Sequence, residues 1–72
     1  MDKMSNFAND FRQLLVQKIK DKKIDLPIEK VIKTQLVFQE VDGEMRYFID
    51  SDIIDNIPDE IIEEIETLWT LE

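Results

Sequence analysis

The chain has 72 residues, which predicts one small domain spanning residues 1–72. It contains no cysteine and no histidine, which excludes disulfides and thiolate or imidazole metal sites together. The formal net charge is −8 and is unevenly distributed. Residues 1–34 hold eight basic and five acidic residues, whereas residues 35–72 hold one basic and twelve acidic residues, for net charges of +3 and −11. The negative charge of residues 35–72 should repel nucleic acid and attract the basic surfaces of other proteins.

The first predicted element is an amphipathic helix from about Ser5, its predicted N-cap, to about Lys22. Apolar residues recur there at intervals of three and four positions: Met4, Phe7, Ala8, Phe11, Leu14, Leu15 and Ile19. The helix dipole favours the cations that gather at its end: Lys18, Lys20, Lys22 and Lys23. After the helix, Pro27 favours a connector, and a helical turn over residues 28–30 is the alternative.

The middle of the chain is predicted to be a β-hairpin, because Asp42-Gly43 suits a two-residue turn with positive φ at both central positions. Side chains alternate along a strand, so this placement assigns every residue to a face. The face expected to cover the core carries Leu36, Phe38, Met45, Tyr47 and Ile49. The opposite face is polar except for Val37, Val41 and Phe48.

The segment from Asp50 to Ile57 is predicted to hold a short helical turn that directs three isoleucines inward: Ile53, Ile54 and Ile57. Pro58 then opens a second long helix, and the acids in its first turn suit the dipole. The apolar face of this helix consists of Ile61, Ile62, Ile65, Leu68 and Trp69. The expected fold is α+β in α-β-β-α order, with an N-terminal helix, one hairpin with an Asp-Gly turn and a C-terminal acidic helix.

Self-association into a homodimer is a further prediction, because a two-stranded hairpin is marginal by itself and needs cover. The residues predicted to mediate it are Val37, Val41, Phe48 and Trp69. A core position behind Leu68 is favoured for Trp69. The alternative is an exposed anchor, because tryptophan is enriched at interface hot spots.

Catalysis is not expected from this sequence. Histidine, the usual general base near neutral pH, is missing, and neither Ser5 nor Ser51 has an evident base to activate it. The acids around Asp52 do not fit a calcium-binding EF-hand loop, because glycine and glutamate are absent from the required positions. We therefore expect a protein without enzymatic activity, metal or cofactor.

The lysines at the end of the first helix are not predicted to bind nucleic acid, because no aromatic residue is interleaved with them and the net charge is negative. A membrane location is not expected either. The longest apolar run is three residues, and no signal-peptide pattern is visible. A cytoplasmic location is the expectation.

Eight carboxylates lie within 17 residues, with almost no lysine or arginine to balance them: Asp50, Asp52, Asp55, Asp59, Glu60, Glu63, Glu64 and Glu66. We call these eight residues the acidic surface. Asp59 with Glu63, and Glu60 with Glu64, are like-charged pairs that each cost roughly 0.2–0.5 kcal/mol in an isolated helix. A solubilising helix face is the plain explanation. We interpret the acidic surface instead as the site that binds a basic-surfaced partner protein.

In its size, in its acidic run from Asp50 to Glu66 and in its lack of histidine and cysteine, the chain resembles the small acidic phage-encoded inhibitors called DNA mimics. The resemblance covers less than a third of the chain and includes no shared motif. Members of this class block uracil-DNA glycosylase, restriction enzymes, nucleoid proteins, CRISPR nucleases or the channel of the sliding clamp. The resemblance implies an inhibitor that occupies the nucleic-acid-binding surface of a host protein, and it implies nothing about the fold.

Two other functions fit the same residues. The first is an antitoxin or immunity protein that neutralises a basic nuclease through the acidic surface. The second is a non-catalytic adaptor or regulatory subunit that uses Val37, Phe48 and Trp69, with the acids serving solubility alone. Reversing the charges of Glu60 and Glu63 separates the adaptor from the other two functions, because only the adaptor would keep its partner.

Overall fold

The fold was obtained as a computed structural model that describes residues 3–71. The elements, in chain order, are α1 (Lys3–Lys20), α2 (Ile28–Lys33), β1 (Val37–Val41), β2 (Glu44–Phe48), α3 (Ser51–Ile54) and α4 (Asp59–Leu71). The α+β class, the N-terminal helix, the hairpin and the C-terminal helix are confirmed. The structure adds two short helices: α2, where a connector was favoured, and α3, where a helical turn was expected.

Helix α1 lies about two residues earlier than predicted at both ends. It already includes Ser5, so the prediction that Ser5 is its N-cap is wrong. The half-buried Met4 lies on the apolar face of α1, and the helix begins before Ser5 and not after it. At the other end, Lys22 has a φ of 61°, and the N–H of Lys23 bonds to the carbonyl of Lys18 at 2.8 Å. This left-handed ending satisfies carbonyls that the last turn leaves free.

Helix α2 forms because Pro27 acts as a start signal. The Pro27 carbonyl accepts hydrogen bonds from the N–H groups of Lys30 and Val31, at 3.1 and 3.3 Å. Val31 is fully buried, so the helical turn is anchored to the core. The guanidinium of Arg12 also ties α2 to α1, because its Nη2 donates to the carbonyl of Thr34 at 2.9 Å. The favoured connector is therefore wrong, and the alternative helical turn extends over six residues.

The hairpin pairs β1 with β2 in antiparallel register, with Val41 opposite Glu44 and Val37 opposite Phe48. Asp42 and Gly43 lie between the strands with φ values of 53° and 82°. Four of the five residues predicted on the inner face pack partly buried against the core: Leu36, Phe38, Tyr47 and Ile49. The fifth, Met45, is 41% exposed, because it lies next to the tip of the hairpin.

The core lies between α1, α4 and the inner face of the hairpin. Its buried members are Phe7, Phe11, Leu15, Ile24, Leu26, Val31, Ile53, Ile57, Ile61 and Ile65. Ile54 was expected among them but is 36% exposed. Successive helical residues point about 100° apart, so a single turn that buries Ile53 turns Ile54 outward. No helix within residues 3–71 is long and apolar enough to cross a membrane.

Candidate functional site

The acidic surface is exposed at all eight positions, which lie just before α3, on α3, on α4 and on the segment that joins the two helices. Asp50 also has a structural role, because its Oδ1 accepts a hydrogen bond from the N–H of Asp52 at 3.0 Å and so caps α3. On the far side of α3, the side-chain amide of Asn56 donates to the carbonyl of Asp52 at 2.9 Å. These two bonds hold the first three acids of the surface on one short, ordered segment.

Helix α4 directs its acids to three sides. Ile61 and Ile65 are buried and define the inward direction. Helical geometry then places Asp59 and Glu63 on the opposite, solvent-facing side. The acids on the flanks face different neighbours, since Glu64 reaches α1 and Glu66 lies near the hairpin.

Two ion pairs tie the edges of the acidic surface to the basic half of the chain. Glu64 contacts Lys18 of α1 at 3.1 Å, and Asp52 contacts Lys30 of α2 at 3.5 Å. Both pairs are partly exposed to solvent, so each contributes little stability. Among the residues that the structure describes, the middle of the surface makes no ion pair: Asp55, Asp59, Glu60 and Glu63. The centre of the surface is therefore an uncompensated anionic area.

The residues predicted to mediate self-association separate into two places. Val37 and Phe48 are directly opposite each other on the outer face of the hairpin and are 60% and 45% exposed. Val41, on the same face, is half-buried. Trp69 lies on the other side of the hairpin, where it packs half-buried against the core. This placement agrees with the core position that was favoured for Trp69, and not with an exposed anchor.

Trp69 belongs to a cluster of four aromatic rings drawn from α1, both strands and α4. Its ring centroid lies 5.0 Å from Phe7, 5.3 Å from Tyr47 and 6.0 Å from Phe38. The ammonium group of Lys3 sits over the Trp69 ring, 4.0 Å from its centroid. Such a contact is a cation–π interaction, which is strongest for the indole ring.

A groove of about 330 Å³ opens between β2 and the last turns of α4. It is lined by Glu44, Met45, Arg46, Tyr47, Glu66, Trp69 and Thr70. Burial and, to a smaller extent, the nearby Glu66 carboxylate raise the pKa of Tyr47 above 10.0. Of the acidic surface, Glu66 alone lines this groove. The groove was not predicted from the sequence, because Met45 and Tyr47 were both assigned to the face expected to cover the core.

Within residues 3–71, no group of three or more acidic, histidine or cysteine side chains is arranged to hold a metal ion. Comparison with known proteins adds no family: no protein-family model, curated protein or solved structure matches the chain significantly. The charge and the geometry of the surface are therefore the basis on which a function is inferred.

Proposed function

We propose that the protein is a non-catalytic inhibitor whose acidic surface occupies the basic, nucleic-acid-binding surface of a partner protein, as a DNA mimic does. The proposed partner handles DNA, in replication, repair or restriction or as a clamp. The protein itself would not bind nucleic acid, because its anionic side would repel phosphates.

The density of charge along α4 is the observation that carries this proposal. Five carboxylates lie between Asp59 and Glu66, over seven helical steps of about 1.5 Å each. One negative charge therefore falls on about every 2 Å of the helix axis, close to the one per about 1.7 Å of duplex DNA. Side chains that neutralise phosphates on the partner would find charges at a similar spacing here.

The arrangement also favours rapid and specific association. A patch of one sign steers a partner of the opposite sign during diffusional encounter, so charge complementarity raises the association rate and rejects wrong partners. Because α4 is packed on the core through Ile61 and Ile65, the backbone positions from which its carboxylates extend are fixed. Only the exposed side chains, and not the helix, then need ordering when the partner binds.

The test is affinity capture from a lysate of the host in which the protein acts, with duplex DNA as competitor. We expect the immobilised protein to retain a basic DNA-binding protein that duplex DNA or raised salt elutes. The double reversal Glu60→Lys with Glu63→Lys should lower the retained amount at least about tenfold, because it removes the uncompensated centre of the surface.

The matched control is Asp25→Lys with Glu40→Lys, which changes the net charge equally at two exposed positions outside the acidic surface. This variant should retain the partner. If the Glu60 and Glu63 double variant retained it equally well, the inhibitor proposal would be refuted and the adaptor function favoured. Capture of a nuclease that is toxic without this protein would instead identify an antitoxin or immunity protein.

We infer a homodimer from the outer face of the hairpin. Val37 and Phe48 form an exposed cross-strand apolar pair, and the half-buried Val41 is the other apolar residue of that face. Pairing two such faces would cover these side chains and would display the acidic surface once on each subunit.

A further inference from the structure

The groove between β2 and α4 combines the two chemical features that a basic side chain requires. Tyr47, Trp69 and Met45 supply apolar surface for an alkyl stem. Glu66 supplies a carboxylate for the charge at its end. Glu44 and Arg46 also border the groove, but both alternate with the inner-face residues of β2, so their side chains are directed towards the outer face.

The structure itself contains a basic side chain on the same aromatic cluster. The ammonium group of Lys3 lies 4.0 Å from the centroid of the Trp69 ring. This intramolecular contact indicates that the indole attracts a cation in the setting that the fold gives it. After burial, the Glu66 carboxylate is the second cause of the raised pKa of Tyr47, which indicates that its negative charge lies near the phenol.

We propose that this groove binds a lysine or arginine side chain of the partner, with its stem on Tyr47 and Trp69 and its charge on Glu66. The inference rests on the proposed function and adds a specific anchor to it. The acidic surface supplies long-range attraction, and Glu66 joins that surface to the groove. A basic side chain that packs on aromatic residues is typical of an interface hot spot, where tryptophan, tyrosine and arginine are enriched.

The experiment uses Trp69 as its reporter, because it is the one tryptophan in the chain. Hexa-arginine and hexa-lysine peptides are titrated into the full chain at low salt, and the tryptophan fluorescence is followed. A saturable change in fluorescence is expected with either peptide. The substitution Glu66→Gln should weaken the affinity about three- to fivefold, because it removes a charge at the rim of the groove.

The matched variant is Glu63→Gln, which removes one charge from the same helix outside the groove. Both glutamates are exposed, and the backbone carbonyl of each accepts a hydrogen bond at 3.0 Å from the threonine four residues later. Neither substitution removes these backbone hydrogen bonds, and circular dichroism should report equal helicity. Because Glu63 belongs to the acidic surface, Glu63→Gln should also weaken peptide affinity, but only about 1.5-fold, since it lies outside the groove.

Equal weakening by the two variants would overturn the proposal, because it would show attraction by the general charge of α4 alone. An unchanged tryptophan signal at peptide concentrations that saturate binding by calorimetry would overturn it as well. Either result leaves the capture experiment unaffected, since that experiment depends on Glu60 and Glu63. Failure of the groove and failure of the inhibitor proposal are therefore distinguishable.

Discussion

Helices α1 and α4 both pack an apolar face against the core, but they differ in the charges on their polar sides. Both bury one face, α1 through Phe7, Phe11 and Leu15 and α4 through Ile61 and Ile65. The polar side of α1 mixes the two signs of charge, whereas the charged residues of α4 are all acidic. Burial of an apolar face therefore does not require the charge pattern of α4.

This difference is the reason that we propose α4, and not α1, as the helix that contacts a partner. Opposite charges at spacings of three and four residues stabilise a helix, and like charges destabilise it. Helix α4 keeps Asp59 with Glu63 and Glu60 with Glu64, although lysine at either position of a pair would turn repulsion into attraction. The fold would gain from a mixed pattern, so the single sign on α4 is better explained by binding than by stability.

The largest expected effect is a loss of stability when an aromatic side chain of α1 is removed from the core. Phe7 is fully buried and contacts the rings of Phe11, Phe38, Tyr47 and Trp69. The substitution Phe7→Ala should lower the free energy of unfolding by about 3–5 kcal/mol, because it leaves a cavity at the junction of three elements. Urea denaturation followed by circular dichroism measures this change. A loss below about 1 kcal/mol would contradict the described core.

Phe48→Ala is the matched control, because it makes the same change on the exposed outer face of the hairpin. In dilute protein it should cost less than about 1 kcal/mol. If two chains associate through this face, the stability of the unsubstituted protein rises with protein concentration, whereas that of Phe48→Ala does not. Stability that is independent of concentration in both proteins would refute the homodimer.

Much of this fold follows from local patterns in the sequence. The three- and four-residue spacing of apolar side chains predicts α1 and α4, and the pairs predicted around Asp42-Gly43 are the pairs observed. Helix α2 was missed because Pro27 is both a stop signal and a start signal. The buried side chain of Val31 decides between them, and its burial depends on tertiary packing that a local pattern does not contain.

The candidate site was predictable in one part and not in the other. Exposure of the five acids on α4 follows from the apolar face of that helix, since burial of Ile61 and Ile65 turns the other sides of the helix towards solvent. The groove depends on Tyr47 and Trp69, which are far apart in the chain and meet only in the folded protein. Alternation along the strand placed Met45 on the inner face but did not show that this face extends past the core to form the groove.

A smaller effect distinguishes binding from stability on α4 itself. The substitution Glu63→Lys replaces repulsion from Asp59 with attraction in the favourable order, with the acid on the N-terminal side. We expect it to raise the free energy of unfolding by about 0.4–1 kcal/mol, and Glu63→Gln to give about half of that gain. Urea denaturation at low salt measures both changes, and added salt should reduce them.

The comparison of the helices predicts that a more stable α4 binds its partner less well. Glu63→Lys should therefore weaken capture of the partner although it stabilises the fold. A variant that gained stability and retained full capture would show that the single sign of charge on α4 has no binding role. A variant that lost stability would show that repulsion between Asp59 and Glu63 is not a cost to the helix.

The smallest expected effect concerns Tyr47, the one tyrosine in the chain, whose pKa is raised above 10.0 by burial and then by Glu66. The folded protein favours the neutral phenol, so this contribution to stability is complete below pH about 10 and is lost as the pH rises through the folded-state pKa. A pH titration of tyrosinate absorbance measures the pKa directly. Glu66→Gln should lower it only part of the way towards 10.0, because burial remains the larger cause.

Glu63→Gln is the control for this titration, since Glu63 lies on the solvent-facing side of α4. It should leave the pKa of Tyr47 unchanged. Equal shifts in the two variants would mean that Tyr47 responds to the total charge of the helix and not to a carboxylate across the groove. A shift confined to Glu66→Gln would show that this carboxylate lies beside Tyr47 in the groove, where the proposed binding of a basic side chain requires it. The measurement needs no partner.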